Sequence, residues 1–135
     1  MLSEPQGTLE AVIIAFSLED IESTAAYFAE DADCVIVTTP HIVLHGRREI
    51  RRRINSILTD YHVDRFAART IHPTEDGLRT QILFAFRHRA TGQVIDGVMR
   101  VTATIRDGRI ERWHEYHDSG RVQAFLRLVH STQGS

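Results

Sequence analysis

Apolar residues recur at two different periods along this chain, and the change of period divides it. As far as Leu58 the dominant spacing is helical; from Phe66 onward it alternates. Thr8–Ser17 (TLEAVIIAFS) is apolar on most sides and predicts a helix buried on more than one face. Ser17 or Asp20 can cap a second helix over Ile21–Ala29, with Ile21, Ala25 and Phe28 as its stripe. Asp31 and Asp33 interrupt that pattern. Cys34–Thr39 (CVIVTT) is β-branched enough for a buried strand, which Pro40 ends. His45-Gly46 then leads into a third helix, Arg47–Leu58, where Ile50, Ile54, Ile57 and Leu58 repeat at helical spacing.

Beyond this point strands alternate with turn signals. Arg65–His72 is followed by Thr74-Glu75-Asp76-Gly77, and Leu78–Arg89 by Thr91-Gly92. Gln93–Arg106 turns at Asp107-Gly108 into Arg109–Asp118, which Ser119-Gly120 ends. Val122–Val129 is a short terminal helix or an extension. Helices first and long antiparallel strands afterwards make an α+β fold. With 135 residues and no repeat, low-complexity tract or linker, residues 1–135 form a single domain.

Strand parity assigns the faces. On Leu78–Arg89, Thr80, Ile82, Phe84, Phe86 and His88 share the inward side. On Gln93–Arg106, Ile95, Gly97, Met99, Val101 and Ala103 do the same. The outer face is mixed, with Leu83, Val98 and Tyr116 among its polar residues, so a homodimer through it is expected.

Composition changes little. The chain is 42% hydrophobic and 25% charged, with a net charge of -2 when its eight histidines are neutral. That balance gives no reason to expect nucleic acid or an anionic membrane as partner. No apolar run reaches roughly 18 residues and no signal-like pattern opens the chain, so a cytoplasmic protein is expected. Cys34 is the sole cysteine, which excludes an internal disulfide, and an inert buried thiol is its default. Arg47, Arg48, Arg51, Arg52 and Arg53 sit mostly off the apolar stripe of the third helix. An anion or nucleic-acid site is the sharper reading; a solvated helix face is favoured because Glu49 and the acidic overall balance weaken any basic field.

Candidate chemistry concentrates in RIERWHEYHD, Arg109–Asp118. Glu111, Trp113, Glu115 and His117 share one side; Ile110, Arg112, His114 and Tyr116 share the other. Trp113 is the sole tryptophan, a ring usually mostly buried. If it points inward, parity carries Glu115 and His117 with it, about 7 Å apart at Cα. His88 is a third acid/base candidate. Trp113, Phe84, Phe86 and Met99 would shape a pocket, with Thr38 as an orienting hydroxyl and Tyr27 and Tyr61 as candidates for its edge. Glu115 in an apolar wall has its pKa raised unless a histidine pairs with it. No metal is expected: His41 and His45 flank a loop, and parity sends His114 and His117 to opposite faces.

Several of these segments together resemble the nuclear transport factor-like superfamily, in its SnoaL-like polyketide cyclase, limonene epoxide hydrolase and ketosteroid isomerase branch. The resemblance covers nearly the whole chain. It rests on the helical opening, Phe28-Ala29-Glu30-Asp31-Ala32, His45-Gly46-Arg47 with Ile50, and Gly108-Arg109-Ile110 through Trp113-His114-Glu115-Tyr116-His117-Asp118. It implies a cone-shaped α+β barrel, three helices against a strongly curved antiparallel or mixed sheet, commonly dimeric and with a deep apolar cavity.

The family's chemistries transfer unevenly. The final aspartate of the epoxide hydrolases' Asp-Arg-Asp set resembles Glu115, but the other two members fall near Ile82 and Phe84. The isomerases' Tyr, Asp and acid fall near Val12, Ile36 and Val101. The cyclases' late aspartate falls near His117 or Asp118, where a histidine can still move a proton. The expected function is acid/base catalysis without a cofactor, of the cyclase, dehydratase or isomerase type, on a small hydrophobic molecule. The alternative is a non-catalytic ligand-binding or dimerisation module of the same fold.

Overall fold

The computed structural model describes residues 4–38 and 40–133, and the side chains of residues 132 and 133 fall outside that description. Thr39, the expected end of the first strand, is therefore outside the described residues. Helix α1, Glu4–Ser17, begins with an acidic residue in its first turn, which suits the positive helix N-terminus. It buries Leu9, Val12, Ile13 and Phe16, a stripe at intervals of three and four. It stops where Glu19 takes a left-handed conformation and the Asp20 N–H bonds back to the Ala15 carbonyl at 3.0 Å.

Asp20 caps α2, Ile21–Ala26, by accepting from the Ser23 N–H at 3.0 Å. The helix ends three residues before the expected Ala29. Phe28 opens β1, Phe28–Val37, because the backbone there is needed for pairing with the last strand. Asp31 and Asp33 do not break this strand but sit on its outer side, while Ala32, Cys34 and Ile36 point inward. β2, Ile42–His45, lies where the sequence predicts only a loop; four residues with Ile42 and Leu44 turned inward form an edge strand beside β1.

Helix α3 runs Arg47–Asp60 and buries Ile50, Ile54 and Leu58. Gly46 precedes it at φ +89°, a conformation that favours glycine, and donates its N–H to the Ala32 carbonyl at 2.7 Å. β3 (Tyr61–Pro73), β4 (Gly77–His88), β5 (Val94–Arg106) and β6 (Arg109–Tyr116) follow. Asp107 and Gly108 both have positive φ, as the two-residue β5–β6 turn requires. The segment after Ser119 is a full helix, α4, Ser119–Gln133, capped by Asp118, whose carboxylate accepts from the Arg121 N–H at 3.1 Å. No helix among the described residues is long and apolar enough to cross a membrane.

The six strands form one mixed sheet in the order β2-β1-β6-β5-β4-β3. Only β1 and β6 are parallel, and the sheet stays open, with β2 and β3 as its edges. Irregular registers in β1, β3 and β6 bend it around the helices. Cross-strand pairs such as Ile82 with Met99 and Thr80 with Val101 lie on the inner face, all four side chains buried. That is the face parity assigned. α1 packs across β3 and α3 across β1, so the core lies between the sheet's concave side and the helices.

Gly77 is the tightest point of the sheet. A Cβ there would lie 1.9 Å from the Ala103 carbonyl oxygen, which is backbone and cannot swing away. Gly77→Ala is expected to destabilise the protein by roughly 1–3 kcal/mol through forced backbone movement. Chemical denaturation of the two proteins checks this, and equal midpoints would contradict it.

Candidate active site

β6 gains its inward-facing functional side chains through a bulge. Thr104 pairs with Arg112 and Ile105 with Ile110, so Glu111 is an extra residue on β6. The insertion turns both Ile110 and Trp113 into the core, at 0% and 5% exposure. Simple alternation puts Ile110 opposite Trp113 and Glu111 beside it; Glu111 instead reaches outward to Arg106 at 3.7 Å. After the bulge the alternation resumes, and Trp113, Glu115 and His117 all face a cavity of about 420 Å³ between sheet and helices.

The cavity gathers most of the expected residues. Phe84, Phe86, Met99 and Thr38 line it with the three β6 side chains, and the α1 residues Val12 and Phe16 close one wall. α4 contributes Val122, Phe125 and Leu126, so the terminal helix covers part of the space. Tyr61, at the start of β3, edges it and meets Phe125 at 6.2 Å between ring centroids, whereas Tyr27 is not among the lining residues. The Thr38 hydroxyl donates to the Pro40 carbonyl at 2.8 Å and is thereby committed to its own loop. His88 is apart from this group. It is buried at the far end of β4, its Nδ1 lies 3.0 Å from the Thr91 hydroxyl, and its ring meets Tyr61 edge-on at 5.2 Å. Those contacts hold the β4–β5 turn, and His88 does not line the cavity.

Within the wall, Trp113 Nε1–H donates to Glu115 Oε1 at 2.8 Å, and His117 Nε2–H donates to Glu115 Oε2 at 2.5 Å. The Glu115 and His117 side chains are 19% and 12% exposed, so both are shielded without being sealed off. The His117 ring stands edge-on to Phe84 at 5.9 Å, and its backbone N–H points to the Val37 carbonyl. Burial pushes the Glu115 carboxyl up. The His117 hydrogen bond and charge, the Trp113 hydrogen bond and the Arg53 charge outweigh it and hold the carboxyl below its ordinary value. Burial, with the Glu115 charge added, pushes the Cys34 thiol far up, which keeps it inert.

One charged lining residue departs from the sequence reading. Arg53 belongs to a run of arginines that reads as a solvated face, and Arg48, Arg51 and Arg52 are exposed. Arg53, however, lies three residues after Ile50 and four before Ile57, on the inward stripe, and lines the cavity with both. That spacing is the available signal. Neither Ile82 nor Phe84, where the epoxide hydrolases would have an arginine and an aspartate, can carry charge; Ile82 is fully buried and Phe84 is cavity wall.

An ionised carboxylate that fixes one imidazole nitrogen leaves the other nitrogen with the lone pair or the exchangeable proton, which is the equipment of acid/base chemistry. The same pairing has a stability signature. A carboxyl whose folded-state value is lowered stabilises the fold above its ordinary value near 4.5, and that contribution is lost as pH falls through the lowered value. Wild-type stability should therefore drop below about pH 4.5 more steeply than that of Glu115→Gln. Unfolding free energies measured across this range test it, and parallel curves would remove the ionised pair.

The sequence matches the SnoaL-like domain family over residues 9–113. No protein of curated function matches it. Solved structures are similar in fold. A protein from Bacillus subtilis, provisionally named an isomerase, is 19% identical, covers 91% of this chain and 92% of its own, and superposes with a TM-score of 0.80. A provisionally named polyketide cyclase from Xanthomonas campestris pv. campestris is 18% identical over 92% and 99%, TM-score 0.76. An LEH-like epoxide hydrolase of M. tuberculosis is 19% identical over 98% and 97%, also at 0.76. At these identities the structural likeness establishes the fold, and the family match over most of the chain establishes membership: the protein belongs to the SnoaL-like domain family, within the nuclear transport factor-like fold.

Proposed function

We propose that this protein is a cofactor-independent acid/base enzyme of the cyclase, dehydratase or isomerase type, acting on a small, largely apolar molecule held in the cavity. The observation that carries this reading is the Glu115–His117 pair, hydrogen-bonded at 2.5 Å in an otherwise mostly apolar wall. With Nε2–H given to Glu115, His117 keeps its lone pair on Nδ1 and can accept a substrate proton there. The carboxylate then faces the imidazolium that forms and stabilises its charge. Trp113 is a positioning residue: its N–H occupies the other carboxylate oxygen and fixes the plane of Glu115. Phe84, Phe86 and Met99 exclude water, which strengthens every charge interaction inside. His88, bound to its own turn, has no part in the reaction under this reading. The similar structures named isomerase and polyketide cyclase fit this chemistry. The Asp-Arg-Asp chemistry of limonene epoxide hydrolases does not, since Ile82 and Phe84 stand where two of its members would fall.

A panel of hydrophobic ketones and lactones tests this even before the natural substrate is identified. Each is incubated in deuterated water, and proton exchange beside the carbonyl is followed by nuclear magnetic resonance. Wild-type protein should accelerate exchange for at least one compound. Glu115→Gln and His117→Gln should each lower that rate by between about 100-fold and 10,000-fold while still binding the compound. If both variants bind it and exchange it at the wild-type rate, the catalytic assignment falls and a ligand-binding module takes its place.

We further infer that two copies associate through the outer face of the sheet. Val94 and Val98 are exposed there, at 43% and 42%, and Val98 lies directly opposite the half-buried Leu83. Beside them the Arg100 guanidinium rests over the Tyr116 ring at 5.6 Å. Sedimentation should give a dimer for the wild type and a monomer for Val98→Lys. A monomeric wild type would defeat the proposal.

A further inference from the structure

Arg53 is the charged group of the cavity that proton transfer at His117 leaves unused. It projects from α3 between Ile50 and Ile57; of its helix neighbours, Arg47 donates to the Phe28 carbonyl at 2.8 Å, Arg51 pairs with Glu22, and Arg48 and Arg52 are exposed. The Arg53 Nε is buried and, among the described residues, has no hydrogen-bond partner. Among the described residues no carboxylate lies within 4.0 Å of its guanidinium. A guanidinium cannot shed its proton to relieve this, so the donor waits for an acceptor from outside the chain. Its charge is felt by Glu115, Tyr61 and Cys34, which puts it inside the same space.

We propose that Arg53 is the recognition point for an anionic oxygen of the ligand, so that the substrate class is a small apolar molecule with an oxygen that is, or becomes, negatively charged. The inference rests on the cavity being the ligand site. Two sources supply such an oxygen. One is a fixed carboxylate on the ligand. The other is a carbonyl oxygen next to the carbon that loses its proton. There the C–H bond breaks, the proton goes to His117, the C–H pair becomes a C–C double bond, and the carbonyl π pair moves onto oxygen. Arg53 meets that charge as it forms, from a site whose buried Nε donor has no partner among the described residues. Return of the proton to another carbon completes an isomerisation. In a ring closure the enolate carbon bonds to a second carbonyl carbon of the same molecule, whose π pair moves onto its oxygen and takes the proton back from His117. Neither route needs a redox partner.

Naphthoate and its uncharged amide, equal in shape, separate these cases, with binding followed through the fluorescence of Trp113. Wild-type protein should bind naphthoate about tenfold more tightly than naphthamide, the effect of one charge-assisted hydrogen bond. Arg53→Gln should abolish the preference while leaving naphthamide affinity unchanged, and Arg53→Lys should restore part of it. Should the glutamine variant not fold, Arg53→Met removes the charge on a similar stem. If the preference is absent but bound nitrophenol ionises more readily in wild type than in Arg53→Gln, read by the absorbance of its anion, the oxygen that becomes charged is the right source. Naphthamide binding without either effect overturns the role of Arg53 and leaves the cavity reading intact. Failure of all three probes to bind overturns both. Loss of the acid preference in Arg53→Gln alongside unchanged exchange in Glu115→Gln would keep anion recognition and discard catalysis.

Discussion

Glu115 lies where a lone carboxylate would take up a proton, and the fold supplies what keeps it ionised. One donor, Trp113, comes from its own strand and the other, His117, from the residue just past the strand's end, two residues before and two after, so one stretch of backbone aims Trp113, Glu115 and His117 at the same place. The arrangement depends on the phase of β6, and the phase depends on Glu111. Without that extra residue, either Ile110 or Trp113 would have to leave the core. Burial of two large apolar side chains on either side of a bulge thus decides where a carboxylate and an imidazole point. Packing, rather than polar attraction, brings the pair to the cavity.

How far the sequence discloses this differs between elements. The faces of β4 and β5 are plain because long strands with strict alternation lie antiparallel, and each apolar residue opposes another across the pair. β1 is visible only in its second half, since Phe28 and Ala29 continue the spacing of α2 and only pairing with β6 separates strand from helix. β2 escapes notice because four residues cannot display a period. Trp113 is the right marker for the inward side of β6. Ile110 would give the opposite answer, and nothing local signals the bulge between them. His88 shares the inward side as parity requires, yet a strand twelve residues long passes beyond any one cavity, and its end serves a turn.

Arg53 is hidden for a different reason. A run of arginines invites a judgement on the run, whereas a helix presents each residue to a different neighbour. Arg48, Arg51 and Arg52 justify the solvated reading, and Arg53 is separated from Arg52 by the roughly 100° turn of a single helical step. α4 is equally hard to foresee. Its Phe125 and Val129 are buried while Leu126 and Leu128 stay exposed, a helix whose apolar residues only partly face the core.

The division of the cavity between elements has an evolutionary reading. The proton-moving groups sit on β6 and just past its end, while Phe86 and Met99 sit on the adjoining hairpin β4–β5, which meets β6 through backbone hydrogen bonds; Phe84, on the same hairpin, meets the His117 ring. Resizing Phe86 or Met99 changes the shape of the space and leaves the Trp113–Glu115–His117 chain anchored. A lineage built on this plan can drift across substrates of different outline, one wall substitution at a time, while its reactive centre is inherited unchanged.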